Sequence, residues 1–319
     1  MSEQRDEIKF PAPKLMKVQL GDLTCRFIWN KIRYRPQTEH LHEFIFNALL
    51  WTLGEKWHQE QISKPPEERH VIMRWANARY KFLIHAQSLG LTTKDRVIPS
   101  GEVRELISLA ADVYYLQLVN ELPRDLVKRL RSYDGFQGAR YEIAVAASLV
   151  RVGFEIKWKS VPKGQKHYEF DAIHKYTNEE AAIEVKSRHR DGTLHQKGEM
   201  PDFSSIRADI FGKYNEAMEQ NPGDKPFGVF IDINVPHESD APIPSRQWIS
   251  DLLKKVESEQ GAIFGATAPN FLVVTNSAWH YEGEFKAEAG EFMIVIPRNP
   301  PYPFKNPVTM EAIRSAKKS

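Results

Sequence analysis

The sequence predicts an α/β protein: a mixed sheet flanked by helices, preceded by a mainly helical N-terminal module. Two observations carry this expectation. Apolar residues recur at helical spacing through the first 130 or so of 319 residues, and from Gly138 the pattern becomes helix, three strand-like runs, helix, strand, helix and further strands. No internal repeat interrupts that order, which sets solenoids and propellers aside. The expected organisation is a helical module over 1–133, an α/β domain over 134–300 and an extended tail over 301–319.

The elements follow in order. Leu41, Ile45, Leu49 and Leu50 share one helical face, and Val71, Trp75, Ala78, Phe82 and Leu83 share another after the break at Pro65-Pro66. Further helical stretches cover 102–118 and, beyond Pro123, 124–131. A helix over 139–152 ends at Gly153, where glycine tolerates the left-handed cap. Strands are expected over 154–159, 168–174 and 181–187, separated by Pro162-Lys163-Gly164 and by the polar run 177–180. A helix over 204–219 precedes Asn221-Pro222-Gly223, followed by a strand over 227–235, a helix over 247–259 and strands over 271–275 and 292–296. Five prolines between Pro297 and Pro307 predict an extended surface segment before a short basic tail.

Composition narrows the function classes. At 41% hydrophobic and 27% charged residues the chain is globular, not collagen-like or low-complexity. Forty-four basic against 42 acidic side chains give a formal charge of +2, so any polyanion surface must be a local patch. A single cysteine, Cys25, excludes an intramolecular disulfide and a cysteine-rich zinc site, and points to a reducing compartment. Residues 1–9 carry no signal-peptide pattern and no run approaches eighteen apolar residues, so the expected setting is cytoplasmic, with no membrane partner.

The chemistry concentrates in Tyr168-Glu169-Phe170-Asp171-Ala172-Ile173 and Ala181-Ala182-Ile183-Glu184-Val185-Lys186. Strand residues two apart share a face at roughly 6.6 Å, which puts Glu184 and Lys186 on one side and Ile183 and Val185 on the other. If the preceding strand pairs alongside, Asp171 approaches Glu184. Two carboxylates at close range repel unless a cation lies between them, and hard oxygen ligands suit Mg²⁺, with Mn²⁺ able to substitute. Lys186 could then orient the attacking water and offset charge developing on a phosphoryl group. Glu142 interrupts the small apolar face of Ile143, Ala144, Ala147 and Val150 and could stand over the same site. Taken singly, each residue has a plainer role: a cross-strand ion pair for Glu184 and Lys186, a strand-end turn for Asp171, a wet helix position for Glu142. Their conjunction, in this order, points to catalysis.

The run Gly138-Ala139-Arg140-Tyr141-Glu142, the Glu169-Phe170-Asp171 strand and Ile183-Glu184-Val185-Lys186 resemble the signature of the PD-(D/E)XK nuclease superfamily, the restriction-endonuclease-like fold. The likeness covers about 138–235, less than a third of the chain. It implies a core in the order helix, three strands, helix, strand, with Asp171 and Glu184 as metal ligands, the Val185 backbone carbonyl beside them, Glu142 as an additional metal-site carboxylate and Lys186 as water-orienting base or electrostatic stabiliser. Phe170 stands where the motif's name has proline.

Basic residues extend the expectation to a polyanionic substrate. Arg188 follows Lys186 two residues on along the same face, and Arg140 and Lys213 lie on the two flanking helices, where they could hold phosphates. Lys157, Lys159, Lys163, Lys166 and His167 surround the first strand, and His189 and Arg190 follow the third; a solvated charge run is the rival explanation. His40 and His42, two apart on a presumed helix, should diverge, and His189 and His195 flank Gly192 in a loop. Trp51, Trp57 and Trp75 should belong to the core. No phosphate-cradling Gly-x-x-x-x-Gly-Lys-Ser/Thr and no Gly-x-Ser-x-Gly elbow occurs. The expected function is metal-dependent endonucleolytic hydrolysis of phosphodiesters, with DNA as substrate and a homodimer compatible with cutting both strands. The rivals are a nucleic-acid-binding or assembly protein that no longer cleaves, and an RNA-directed nuclease.

Overall fold

The computed structural model describes residues 17–28, 31–92, 95, 97–119, 122–160, 166–190, 208–235, 242–258, 267–277 and 290–316. It opens with an element that helical periodicity does not reveal. Strands β1 (Lys17–Leu20), β2 (Leu23–Ile28) and β3 (Lys31–Pro36) form an antiparallel sheet in the order β1-β2-β3, turned at Gly21, whose φ of +56° suits glycine. One face of this sheet lies on the helices: Arg26 sits over the Phe44 ring and Arg33 over Trp51, at 5.0 and 4.6 Å from their centroids.

The helices α1 (Leu41–Leu53), α2 (Glu55–Ile62), α3 (Val71–Ser88), α4 (Gly101–Val119) and α5 (Arg124–Leu130) follow, much as the periodicity predicts. Trp57 and Trp75 are buried and Trp51 packs partly buried against the same cluster, as expected of core tryptophans. Helix α6 (Tyr133–Arg151) begins six residues before the expected start at 139, because Ser132 caps it: the Ser132 hydroxyl accepts the Gly135 N–H at 3.1 Å. It ends at Gly153 with φ +94°.

α6 is buried nearly all round. It packs on α4 and α5 on one side and on the main sheet on the other, so a single apolar cluster runs from Phe44 and Trp75 through Ala139 and Ile143 to Phe170, Ile183 and Val185. The boundary expected near residue 133 therefore falls at the first residues of a helix that belongs to both halves.

The main sheet has six strands in the order β4 (Phe154–Trp158), β5 (Phe170–His174), β6 (Glu180–Ser187), β7 (Phe227–Asp232), β8 (Phe271–Asn276) and β9 (Glu291–Val295). The first three form an antiparallel meander. β6, β7 and β8 are parallel, and β9 returns antiparallel. Parallel neighbours require a crossover, supplied by α7 (Ile210–Met218) and α8 (Gln247–Ser258). These two helices cover the opposite face, where Ala182, Val229, Ile231, Leu272 and Val274 form a second core with Tyr214, Trp248 and Leu252. β7 stops three residues earlier than its apolar run, because Asn234 turns left-handed at φ +47°.

Gly228 marks the tightest point of this packing. A Cβ there would stand 2.1 Å from Cζ of Phe271, a ring with no solvent exposure and no room to yield. Gly228→Ala should destabilise the protein by about 1–3 kcal/mol, read as a lower urea midpoint with an unchanged slope.

The C-terminal segment is not the extended tail that its prolines predict. Pro307–Ser315 is a helix, α9, with Asn306 accepting the Val308 N–H at 3.0 Å and Ala312 and Ile313 buried. Pro307 occupies the first turn, the position where proline favours a helix. Glu179 secures it, accepting hydrogen bonds from the Lys305 and Asn306 N–H groups and the Thr309 hydroxyl. No described helix is long and apolar enough to cross a membrane.

Candidate active site

The acids singled out by the sequence lie where β5 meets β6. Phe170 is paired with Ile183 and Asp171 with Ala182, yet the Glu169 N–H also reaches the Ile183 carbonyl, at 3.0 Å. Two residues thus address one, the count of a β-bulge, a feature that re-aims side chains and recurs beside active sites. The strand pattern makes Asp171 and Glu184 diagonal neighbours, a relation that places Cα atoms about 7–8 Å apart. In extended backbone the carbonyls alternate sides, so Val185 directs its carbonyl toward β5 as Ile183 does, past the last β5 pair.

Glu184 is the most unusual group. None of its surface reaches solvent, and the Lys186 ammonium is its ion partner at Oε1. Burial raises its carboxyl to about 7, the Glu142 charge adds to the rise, and the Lys186 ammonium and Glu169 N–H oppose it. Glu169 is raised further, to about 8, first by burial and then by the charges of Glu142 and Glu184, against Arg129 and Lys186. Glu142 receives a two-pronged grip from Arg129 of α5, with Nη1 donating to Oε1 at 2.7 Å and Nη2 to Oε2. Glu142, Glu169, Glu184, Lys186 and Arg129 thus form one cluster of three acids and two cations.

Asp171 is held apart from that cluster. Lys159 and Lys225 place their ammonium groups 2.7 and 3.2 Å from its oxygens, and Lys225 also pairs with Glu180. Burial alone would raise its carboxyl, but hydrogen bonds from Lys159, Tyr168 and Lys225 outweigh it and hold the group below the usual range. Among the described residues, no three acidic, histidine or cysteine side chains converge closely enough to hold a metal ion as they stand.

The expected phosphate-binding residues divide. Arg188 extends the β6 ladder by donating its N–H to the Asp232 carbonyl at 2.8 Å, and its guanidinium pairs with Asp209 at 2.7 Å in a partly exposed position. Lys213 lies on α7 and pairs with Glu216 at 2.7 Å. Arg140 is a correction. It is buried between α4, α6 and the end of β7, where Glu105 at 2.9 Å and Asp232 at 3.0 Å occupy its guanidinium, so it cannot hold a phosphate. Arg190 exchanges backbone hydrogen bonds with the Gln137 amide, pinning the segment after β6 to α6.

Lys166 pairs with Glu219, and Lys163, Gly192 and His195 lie outside the described residues. His40 and His42 do not diverge: His40 is the extended residue before α1, and the rings stack 5.6 Å apart.

Glu169, Arg129, Lys225 and Tyr168 also belong to this region, and the motif spacing does not announce them. Glu169 lay inside the motif but on the wrong parity for Asp171's partner set once the bulge is counted. Arg129 and Lys225 arrive from outside the motif, and nothing in its spacing signals them.

Comparison with family models, with curated proteins and with solved structures finds no match to the chain.

Proposed function

We propose that the chain is a divalent-cation-dependent nuclease that hydrolyses phosphodiester bonds, with DNA as the substrate, on a restriction-endonuclease-like core. The order α6-β4-β5-β6-α7-β7, antiparallel through β6 and parallel at β7, supports this reading of the fold. The observation that carries the function is Glu184: a buried carboxylate beside Lys186 and diagonal to Asp171. Lys186 partners Oε1, and Oε2 is left to take a further ligand.

The residues fit Mg²⁺ or Mn²⁺, which need only one or two carboxylates and fill their other positions with carbonyl, water and phosphate oxygens. Asp171, Glu184 and the Val185 carbonyl would be the ligands, with Glu142 and Glu169 as further carboxylates nearby. A bound cation would supply Lewis acidity and a more acidic water. Lys186, positioned by its ion pair with Glu184, would orient that water and neutralise charge building on the phosphate. Lys159 and Lys225 now act as counterions of Asp171, so the cation competes with them. Arg188 and Lys213, held by exchangeable partners at the surface, would contact flanking phosphates.

One observation favours a second reading. Asp171 and Glu142 already have fixed cationic partners in Lys159, Lys225 and Arg129, an arrangement also suited to a nucleic-acid-binding protein that does not cleave. Incubating the protein with plasmid, single-stranded DNA and matched RNA in Mg²⁺ or Mn²⁺ separates the readings. The parent should cut DNA, and Lys186→Ala should slow it by about 10²-fold or more. Binding without cutting by the folded parent selects the second reading, and cutting of RNA alone moves the substrate to RNA.

A further inference from the structure

A cavity of about 270 Å³ lies between the start of α3 and the turn that joins α5 to α6, away from the acidic cluster. Lys64, Arg69, Arg74 and Arg131 line it, with the acid Glu68 and Tyr133 on the wall. Lys64 pairs with Glu60 at 3.3 Å and the Glu102 charge acts on Arg74, so Arg69 and Arg131 carry the case for an anion. Two guanidinium groups lining one small volume beside a single carboxylate leave it net positive, which favours an anion there.

The arginines are placed in a particular way. Arg69 donates from Nε to the Lys64 carbonyl at 3.0 Å and from Nη2 to the Ile62 carbonyl at 3.1 Å. Arg131 donates from Nη2 to the Thr52 carbonyl at 3.3 Å. Both guanidinium groups are therefore anchored by neutral backbone oxygens, which fix direction and leave the positive charge intact. That is how a preformed oxyanion site differs from a surface ion pair. His70 also lines the cavity, its ring packed against Trp57 and Phe136 at 5.4 and 5.1 Å, which stiffens that wall.

We propose that this cavity binds a phosphate group, either one in the backbone of a nucleic-acid strand or a free phosphate or mononucleotide. The volume exceeds a phosphate ion and falls just below the roughly 300–1,000 Å³ of pockets that enclose larger ligands, so one phosphate with part of its ester fits. The same short turn serves both places: Arg129 grips Glu142 of the acidic cluster, and two residues on Arg131 reaches the cavity. Tyr133 further contacts His189, just beyond β6, with ring centroids 6.3 Å apart. These links run from the cavity toward the candidate active site. The phosphate site stands on its own lining and does not depend on hydrolysis.

The test uses the full chain in EDTA, so that binding is read without cleavage. A labelled 20-base-pair duplex is titrated across a salt series, and inorganic phosphate and AMP are titrated calorimetrically. The double substitution Lys64→Gln with Arg131→Gln should weaken whichever phosphate form the parent binds by about 10-fold or more. For the duplex it should also make the slope of log affinity against log salt shallower by about 1. Arg131→Lys, which keeps the charge but loses the backbone-anchored fork, should fall between the parent and the double variant, and melting curves should match the parent. If the double variant melts early, Lys64→Gln alone, on the rim, gives the same reading at smaller amplitude. Duplex binding alone assigns the site to a strand phosphate, and binding of phosphate or AMP alone assigns it to a small ligand. The proposal is overturned if the parent binds none of the three, or if folded variants bind as the parent does. Neither result bears on hydrolysis, which the Lys186→Ala comparison tests separately.

Discussion

Glu184→Gln is expected to remove cation-dependent cleavage, by about 10³-fold or more, while making the metal-free protein harder to unfold above pH 7. The two effects have one cause. Glu184 is buried, and its carboxyl is raised to about 7 from an ordinary value near 4.5. A carboxyl raised in the folded state contributes stability that is complete below about pH 4.5 and is lost as the pH rises through about 7. Above that pH the parent carries a buried anion that the unfolded chain would solvate freely. The neutral amide has the same shape and no such penalty, so the gain at pH 8 in EDTA is at most about 3 kcal/mol. Chemical denaturation at pH 5 and pH 8 measures it: the variant and parent should lie close at pH 5 and separate at pH 8. A buried anion with that cost gains from a bound cation, which is the reason for assigning it a function. Equal stability at pH 8 would remove that reason.

Arg140→Met carries the largest expected loss of stability, about 3–5 kcal/mol. Arg140 joins Glu105 of α4 to Asp232 at the end of β7, and all three side chains are buried. Methionine fills much of the same volume but leaves two carboxylates facing one another without a cation. The melting temperature should fall by roughly 4–8 °C for a chain of this size, and nucleic-acid affinity measured on the protein that stays folded in the cold should be unchanged. A stable variant with weakened binding would return Arg140 to the substrate surface.

Much of this architecture is legible in the amino-acid sequence. The three strands after α6, the crossovers through α7 and α8 and the buried run of β7 follow from local alternation and from glycine and proline punctuation, which act over a few residues. Asp171, Glu184 and Lys186 were legible for the same reason, since the Glu-x-Lys spacing places two charges on one strand face whatever lies around them. What escaped depends on distance along the chain. Arg140 looks like any basic residue on a helix until Glu105, thirty-five positions earlier, and Asp232, far downstream, close around it. Lys159 and Lys225 reach Asp171 from two other segments, and Arg129 reaches Glu142 from another helix. The bulge at Glu169 is an insertion into pairing, visible only against β6. The strands β1 to β3 hid because alternation there mixes arginines with apolar residues, and the arginines pack on aromatic rings instead of facing water. α9 hid behind its prolines, although Asn306-Pro307 is itself a helix start.

The most direct measurement is the anomalous scattering of a crystal soaked in Mn²⁺ near neutral pH. The expected result is a peak within ligand distance of Asp171 and Glu184, about 2.0–2.3 Å from carboxylate oxygens, with Lys159 and Lys225 drawn back from Asp171. A fully soaked crystal with no peak there, and with both lysines still on Asp171, would contradict a cation-dependent active site at this position.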